Sequence, residues 1–294
     1  MNLILLQLSE VQAALASGGA LELPAGDRRA RHVASVLRPT PGASVRVGVL
    51  GGSVGRVGVE VLGDGAVRLA ALPGEAGLNA LASPAPPRMP HVELLLAMPR
   101  PKVLMRLWSQ IAQLGVRRVV LTNAYRVEKP YFSSQAVDPQ RFQPELLEGL
   151  EQAVCTHLPE VQVEMRLKPF IEDSLDRLCP PDVLRLLCHP GDGSSSVADA
   201  VAAVSRGGPQ RTPPRALLLA IGPEGGWVDY ELDLLRAHGF VQVSLGPRVF
   251  STDVALIALV TLAVDALVSA GRAARREPGR LASPGAEAPC GRAL

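Results

Sequence analysis

Two glycine- and proline-rich segments in the C-terminal half of the chain have the composition of ligand-binding loops. The first reads Ile-Gly-Pro-Glu-Gly-Gly over residues 221–226, and the second reads Leu-Gly-Pro-Arg over residues 245–248. Each follows a short apolar run, at 216–221 and at 241–245. Ligands of open α/β sheets bind at the carboxyl ends of the strands, and glycine allows them to approach the backbone closely. The pattern predicts a small-molecule site held largely by backbone groups.

Each candidate at this site also has a structural interpretation. The first glycine segment is alternatively a tight turn between a strand and a helix. Arg248 lies inside the second loop, where a cation holds a phosphate or a developing negative charge, or else it is a surface arginine without a role. Ser251 and Thr252 are typical of a helix N-cap. His189 follows another apolar run, and a lone histidine is more often structural than catalytic.

An α/β framework is predicted to position these loops. Short segments at 92–97, 118–122 and 183–188 predict strands, in addition to the two runs that precede the glycine segments. Amphipathic runs predict helices at 102–114, 144–154 and 197–204, with a further helix starting at Asp229. Strands that alternate with helices of this length indicate a mostly parallel sheet.

The first eighty residues instead predict a small β-barrel. Short alternating runs at 45–49, 55–62 and 66–70 are separated by glycine-rich turns. The segment after them is dense in proline and is predicted to be a linker. The predicted organisation is a barrel at 1–82, a linker at 83–90, an α/β domain at 91–270 and a disordered tail at 271–294.

Several classes of protein are disfavoured by composition. The four cysteines (Cys155, Cys179, Cys188 and Cys290) form no CxxC pair, which favours reduced thiols and gives no basis for a metal site. No G-x-G-x-x-G or P-loop motif is present, which disfavours dinucleotide and NTP chemistry. The net charge of +2 is small, so basic residues alone are weak evidence for nucleic-acid binding.

A membrane or secreted location is also disfavoured. The longest apolar run, at 254–264, is bounded by Asp253 and Asp265 and falls short of the roughly 20 residues that a membrane span needs. It is therefore predicted to be a buried helix. The N-terminus is apolar but has no basic region before it, which argues against a secretory signal. The expected location is the cytoplasm, with no membrane partner.

Taken together in order, the motifs resemble those of RsmE-type ribosomal RNA methyltransferases, which belong to the SPOUT class. The resemblance reaches from the N-terminus to about residue 270. The segments that carry it are Met-Asn-Leu-Ile-Leu-Leu at 1–6, Arg-His-Val-Ala-Ser-Val-Leu-Arg at 31–38, Ala-Met-Pro-Arg-Pro-Lys at 97–102, Tyr-Arg-Val-Glu-Lys at 125–129, Gly-Leu-Glu-Gln-Ala at 149–153 and the two glycine loops.

This resemblance implies an N-terminal PUA-like β-barrel for RNA docking and a SPOUT α/β domain with a trefoil knot. It implies a homodimer with the cofactor pocket near the subunit interface. The implied reaction transfers a methyl group from S-adenosylmethionine (SAM) to N3 of a uridine in small-subunit, 16S-type ribosomal RNA. The substrate is this RNA or the small ribosomal subunit, and no metal is needed because the sulfonium methyl group is already activated.

The resemblance also assigns roles to individual positions. Arg248 is the implied catalytic residue, which stabilises charge on the uridine. The implied RNA-binding residues are Arg31, His32 and Arg38. The implied cofactor-binding residues, which act largely through backbone groups, are Leu187, His189, Ile221, Gly222, Glu224, Gly225, Gly226, Leu245, Gly246 and Val249.

Four positions depart from the family pattern. Ser251 stands where the family has a second arginine, Asp253 where it has a glutamate and Val254 where it has a threonine. An arginine expected at Val154 or Cys155 is absent. These losses favour an alternative function, in which a catalytically impaired family member binds RNA or ribosomal particles as a non-enzymatic assembly factor. The intact glycine loops favour the enzyme, which is the leading hypothesis.

Overall fold

The N-terminal part of the chain forms a five-stranded sheet. The computed structural model describes residues 2–72, 77–85, 90–180, 182–191, 194–207 and 214–276. The strands are β1 (Ile4–Leu6), β2 (Leu21–Leu23), β3 (Ser44–Val49), β4 (Val54–Val61) and β5 (Val67–Ala70), in the order β1-β3-β4-β5-β2. The three predicted strands are confirmed, whereas β1 and β2 are too short to show an alternating pattern. Closure into a PUA-like barrel stays a prediction.

A six-stranded parallel sheet occupies the rest of the chain. Its strands are β6 (His91–Ala97), β7 (Arg118–Thr122), β8 (Glu160–Glu164), β9 (Val183–Cys188), β10 (Ala216–Ile221) and β11 (Val241–Val243), in the order β11-β9-β10-β6-β7-β8. The predicted parallel α/β sheet is confirmed. Strand β8 was not predicted, because its Glu-Val-Gln-Val-Glu sequence belongs to a partly exposed edge strand without an apolar run. The trefoil knot stays a prediction.

Helices cover the sheets and connect their strands. The longer ones are α1 (Leu8–Ala16), α4 (Pro101–Gln113), α5 (Pro139–Ala153), α8 (Val197–Gly207), α9 (Asp229–Ala237) and α10 (Thr252–Arg276). The short ones are α2 (Arg28–His32), α3 (Gly77–Leu81), α6 (Leu167–Pro169) and α7 (Leu175–Leu178). Helix α5 begins before the predicted residue 144, because Asp138 accepts a hydrogen bond from the Gln140 amide and Pro139 occupies the first turn.

Helix α10 is longer than the sequence predicted. It continues to Arg276, past the predicted domain end at residue 270, because Ala and Arg favour helix and outweigh the single Gly271. Residues 277–294 lie outside the described part of the chain. By length and composition, Thr252–Ala273 would suffice to cross a membrane. In this fold the helix packs on β6, β10, α4 and α8, and Leu256 and Val260 are fully buried.

Strand β1 joins two hydrophobic cores. Successive side chains of a strand point to opposite faces. Ile4 and Leu6 accordingly belong to the core of the N-terminal sheet, whereas Leu3 and Leu5 belong to the core of the parallel sheet. The two sheets are thus packed together through β1. Their division at the predicted linker stays a prediction, since residues 86–89 lie outside the described residues.

The segment after α5 adds polar contacts between the two parts. Val154 ends the helix in the left-handed region, with φ of 56°, and turns the chain towards the N-terminal sheet. The Thr156 hydroxyl donates to the Gly52 carbonyl at 2.6 Å, and the Gly51 amide donates to the Thr156 carbonyl at 2.8 Å. A Cβ at Gly48 would lie 2.7 Å from Thr156 Cγ2, so glycine is required for this close approach.

An ion pair between α2 and α5 joins the same two parts. Arg28 Nη2 lies 2.8 Å from both carboxylate oxygens of Glu151, whose side chain is only 3% exposed. Burial raises the pKa of the Glu151 carboxyl above its ordinary value, and the charge of Arg28 opposes that rise. The arginine therefore compensates a carboxylate that is otherwise costly to bury.

We expect Arg28→Met to destabilise the protein by about 2 kcal/mol, because it leaves a buried carboxylate without its partner. The raised pKa of Glu151 means that the folded state binds its proton more readily than the unfolded state. The loss should therefore be larger at neutral pH than near pH 4, where the carboxyl takes up a proton. Urea denaturation at the two pH values measures it.

The matched control is Arg28→Met combined with Glu151→Gln, which removes the unpaired charge. This double variant should recover part of the lost stability and should lose the pH dependence. Equal destabilisation by Arg28→Met at both pH values would contradict the assigned role of the pair.

Candidate functional site

Three loops meet at the carboxyl edge of the parallel sheet. In the strand register Cys188 at the end of β9 is paired with Ile221 at the end of β10 and with Val243 at the end of β11. The loops that follow these three strands therefore leave the sheet at one place. Together they enclose a cavity of about 250 Å³.

Nearly all the residues predicted for the small-molecule site line this cavity. Leu187 does not, because it lies inside β9 and is fully buried in the core. The predicted residues that line the cavity are His189, Ile221, Gly222, Glu224, Gly225, Gly226, Leu245, Gly246, Arg248 and Val249.

Apolar walls complete the cavity, and sequence reasoning missed them. Trp227 and Phe250 follow the two glycine loops, and Ala255 and Leu259 come from the start of α10. The last two are four residues apart and share one helix face. A helical pattern extended from the predicted N-cap at Ser251 and Thr252 would have indicated them.

A tight turn shapes the first loop. The Gly226 amide donates to the Pro223 carbonyl at 2.8 Å, and Gly226 has φ of 72°. A Cβ on Gly222 would lie 3.2 Å from the backbone nitrogen of Trp227. Glycine is favoured at both positions for these separate reasons, one conformational and one steric.

Two hydrogen bonds to other segments of the chain fix this turn in place. Glu224 Oε1 accepts a hydrogen bond at 3.0 Å from the Arg100 amide, which lies at the start of α4. Arg126 donates from its guanidinium to the Gly225 carbonyl, and a Cβ on Gly225 would lie 2.9 Å from Arg126 Cδ. Glu224 was predicted to bind a ligand, and it does line the cavity, but its carboxylate also anchors the loop to α4.

A buried carboxylate connects the first loop to the segment after β7. Glu231, which is 5% exposed, accepts hydrogen bonds from the Tyr125 amide at 2.7 Å and from the Val228 amide at 2.9 Å. Sequence reasoning missed this residue. Its signal is only half of a capping box, a glutamate at the third helical position that bonds the amide of the N-cap residue, because the N-cap Val228 has no side-chain oxygen.

The second loop is more open than the first. Gly246 has φ of 97°, and its amide donates to the Ser244 hydroxyl at 3.1 Å. Val249 is 92% exposed. Arg248 is exposed as well, and its side chain forms no hydrogen bond or ion pair with any residue in the described ranges. The guanidinium therefore remains available to a ligand at the cavity.

Polar contacts organise the start of α10 beside the second loop. The Ser251 hydroxyl donates to Asp253 Oδ1 at 2.5 Å, and the Val254 amide donates to the same oxygen at 3.1 Å. These bonds hold the pKa of Asp253 below its ordinary value. Arg106 Nη2, from α4, lies 3.4 Å from Asp253 Oδ2. A cation from another helix thus lies near the position where the family pattern has its second arginine.

The predicted RNA-binding residues lie on the N-terminal part of the chain, on α2 and the turn that follows it. Arg31 and Arg38 are exposed, and His32 is half-buried. Arg38 Nε donates to the Ser35 carbonyl at 2.8 Å. Arg29, in the same helix, instead forms ion pairs with Glu10 and with Asp27.

Metal-ligating side chains are not clustered within the described ranges, where no group of three His, Cys, Asp or Glu residues has suitable geometry. The described cysteines Cys155, Cys179 and Cys188 carry free thiols. Burial raises the pKa of the Cys179 thiol to about 12. This thiol is therefore protonated at neutral pH and is a poor nucleophile.

Comparison with known proteins identifies the family. Residues 86–264 match the model of the RNA methyltransferase domain. The chain is 26% identical to the ribosomal RNA small subunit methyltransferase E of Treponema pallidum, over 97% of this chain and 98% of that protein. The chain belongs to the RsmE family of RNA methyltransferases. The family predicted from the order of motifs is confirmed.

Solved structures of two proteins named as methyltransferases share this fold. The ribosomal RNA small subunit methyltransferase E of Neisseria gonorrhoeae, solved bound to SAM, is 19% identical with a TM-score of 0.61, over 89% of this chain and 95% of that one. A Legionella pneumophila protein solved in complex with SAM is 25% identical with a TM-score of 0.59, over 83% of this chain and 91% of that one.

His189 provides a pH-sensitive probe of this site. Burial lowers the pKa of its imidazole, and the charges of Arg236 and Arg126 lower it further. Folding therefore favours the neutral ring, and stability should fall as the pH drops below the ordinary imidazole value of about 6.5.

NMR titration should find His189 titrating below that ordinary value. Arg236→Gln should raise its pKa, because one of the two opposing charges is removed. Lys168→Gln, which removes a charge that does not act on this ring, is the control. An unchanged His189 titration in Arg236→Gln would contradict the assigned cause.

Proposed function

We propose that this protein uses SAM to methylate N3 of a uridine in small-subunit ribosomal RNA. The observation that carries the proposal is the convergence of both glycine loops and His189 on one cavity. Arg248 lies in the second of these loops, and its side chain has no hydrogen-bond or ion-pair partner among the described residues. A methyl donor and a charge-stabilising group are the two requirements of this reaction that the chain has to bring together.

The residues present fit SAM. Ile221, Leu245 and Leu259 offer an apolar surface for an adenine ring, while the glycine loops offer backbone groups to polar atoms. The buried Trp227 indole N–H has no acceptor in the described part of the chain, which leaves one donor for a ligand atom if the ring shifts. SAM, when bound, supplies an activated methyl group on a sulfonium.

Arg248 is proposed to stabilise the uridine anion that forms when solvent takes up the N3 proton. The uridine anion carries its charge on the two carbonyl oxygens and N3, and a guanidinium presents several donors to such a group. Because Arg248 has no competing carboxylate among the described residues, its full charge is available. It is therefore a better candidate than Arg106, which is already paired with Asp253.

The resemblance to the family supports four further proposals, which concern RNA docking, the knot, the oligomeric state and the location. The N-terminal sheet acts as a PUA-like RNA-docking barrel through Arg31, His32 and Arg38, and the α/β part carries a SPOUT knot. We also propose a homodimer, supported by the exposed apolar side chains Val254 and Leu262 on α10, at 47% and 45% exposure. The proposed location is the cytoplasm.

A non-enzymatic assembly factor is the second candidate, and Ser251 is the observation that favours it. The residue at position 251 is a serine and carries no charge, and its hydroxyl is bonded to Asp253. No cation therefore extends from this position. Arg106 weakens this argument, because it brings a positive charge to the same helix start.

The deciding experiment incubates the protein with methyl-labelled SAM and small ribosomal subunits and identifies the modified nucleoside by mass spectrometry. The proposal expects N3-methyluridine. Tight SAM binding by calorimetry with no methyl transfer would support the assembly factor instead.

Arg248→Ala should reduce methyl transfer about 100-fold, consistent with the loss of one charge-stabilising group. SAM affinity should change much less, because backbone groups provide most of the proposed cofactor contacts. Single-turnover rates and calorimetry measure the two effects. Arg272→Ala, which removes an exposed arginine near the end of α10, is the matched control. An equal loss of rate and affinity would instead assign Arg248 to cofactor binding.

A further inference from the structure

A second cavity, of about 820 Å³, shares a wall with the first. Residues 222–227 of the β10–α9 connection line the first cavity, and residues 228–231 line the second. Arg126 contacts Gly225 of the first cavity, while its neighbours Tyr125 and Val127 line the second. We call the second cavity the tyrosine groove. The side chains that matter in it are Tyr125, Lys129, Arg166, Lys168, Asp229 and Tyr230.

Two tyrosine rings stand exposed on rigid supports in this groove. Tyr125 is 82% exposed, and its amide is bonded to the buried Glu231. Tyr230 is 58% exposed and lies in the first turn of α9. Neither ring stacks on another aromatic ring in the described ranges. Exposed rings carried on an anchored backbone provide flat platforms on which nucleobases stack.

The charged side chains of the groove are mostly cationic. Lys129 and Arg166 are exposed and form no ion pair with a described residue. Lys168 lies 3.7 Å from Glu172 in a solvent-exposed pair, which leaves its charge largely available. Among the acidic lining residues, Glu231 is buried and bonded to two amides, so Asp229 is the exposed carboxylate. The balance favours an anionic chain.

The proposed reaction requires that the target uridine be unpaired. Uridine N3 lies on the Watson–Crick edge, so a uridine that is methylated there must be unpaired when it reacts. Nucleotides beside an unpaired base can be splayed apart and stacked on aromatic side chains. The tyrosine groove lies next to the cavity that the reacting base would enter.

We propose that the tyrosine groove binds the single-stranded RNA nucleotides that flank the target uridine. Their bases stack on Tyr125 and Tyr230, and Lys129, Arg166 and Lys168 contact their phosphates. This inference rests on the proposed RNA methyltransferase function and adds to it a second RNA contact, distinct from Arg31, His32 and Arg38.

Binding of fluorescein-labelled oligouridylate, measured by fluorescence anisotropy without SAM, tests the stacking. Tyr125→Ala and Tyr230→Ala should each weaken binding about tenfold. Tyr125→Phe and Tyr230→Phe keep the ring and should bind nearly as the unchanged protein does. Equal affinities for the alanine and phenylalanine variants would overturn the proposed stacking.

The salt dependence of the same binding tests the phosphate contacts. Lys129→Gln and Arg166→Gln should each reduce the slope of log affinity against log salt by about 0.7, the value for one phosphate contact on a single strand. Arg117→Gln removes an exposed charge from the opposite, amino edge of the sheet and should leave the slope unchanged. An unchanged slope in the groove variants would overturn the phosphate contacts.

Two further outcomes separate this proposal from others. If the protein binds small ribosomal subunits but not oligouridylate, and the alanine variants weaken only subunit binding, the groove does not bind single-stranded RNA and the proposal is wrong. Calorimetry with SAM should give the same affinity for every groove variant. Absence of SAM binding by the unchanged protein would refute the proposed function, while the anisotropy measurement would still decide on the groove.

Discussion

The parallel pairing of β10 with its neighbours is the constraint on which the site depends. All six residues of β10 are buried, and the strand lies between β6 and β9 in the centre of the sheet. Its register with β9 sets where the first glycine loop begins relative to His189. A shift of two residues would move that loop by about 6.6 Å. Such a shift exceeds hydrogen-bond reach and would separate the walls of the cavity.

Contacts from outside these strands then fix the loop conformation. Glu224 bonds to the start of α4, and Arg126 bonds to Gly225. Glu231 is buried, which is costly for a carboxylate. The cost is offset because both of its oxygens accept amide hydrogen bonds. Glu231 thereby ties together the segments after β7 and before α9. The ligand cavity and the tyrosine groove consequently share one stiff wall.

Local patterns predicted the strands and the loop residues but not their long-range partners. The run at 216–221 is apolar because both faces of β10 are covered, a property that the segment shows by itself. The Arg28–Glu151 pair joins residues that are 123 positions apart, and no local pattern relates them. Leu187 was assigned to the site from its place in the motif, although the pleat of β9 directs it into the core.

The coupling of the two parts through β1 bears on how RNA would be held. Because side chains of β1 enter both cores, the N-terminal sheet cannot turn on the parallel sheet without exposing Leu3 or Leu5 to water. The bonds of Thr156 and the Arg28–Glu151 pair resist the same rotation. Exposed arginines on α2 therefore hold a fixed position relative to the glycine loops. Such a fixed spacing would let RNA structure, in addition to base contacts, select the proposed target uridine.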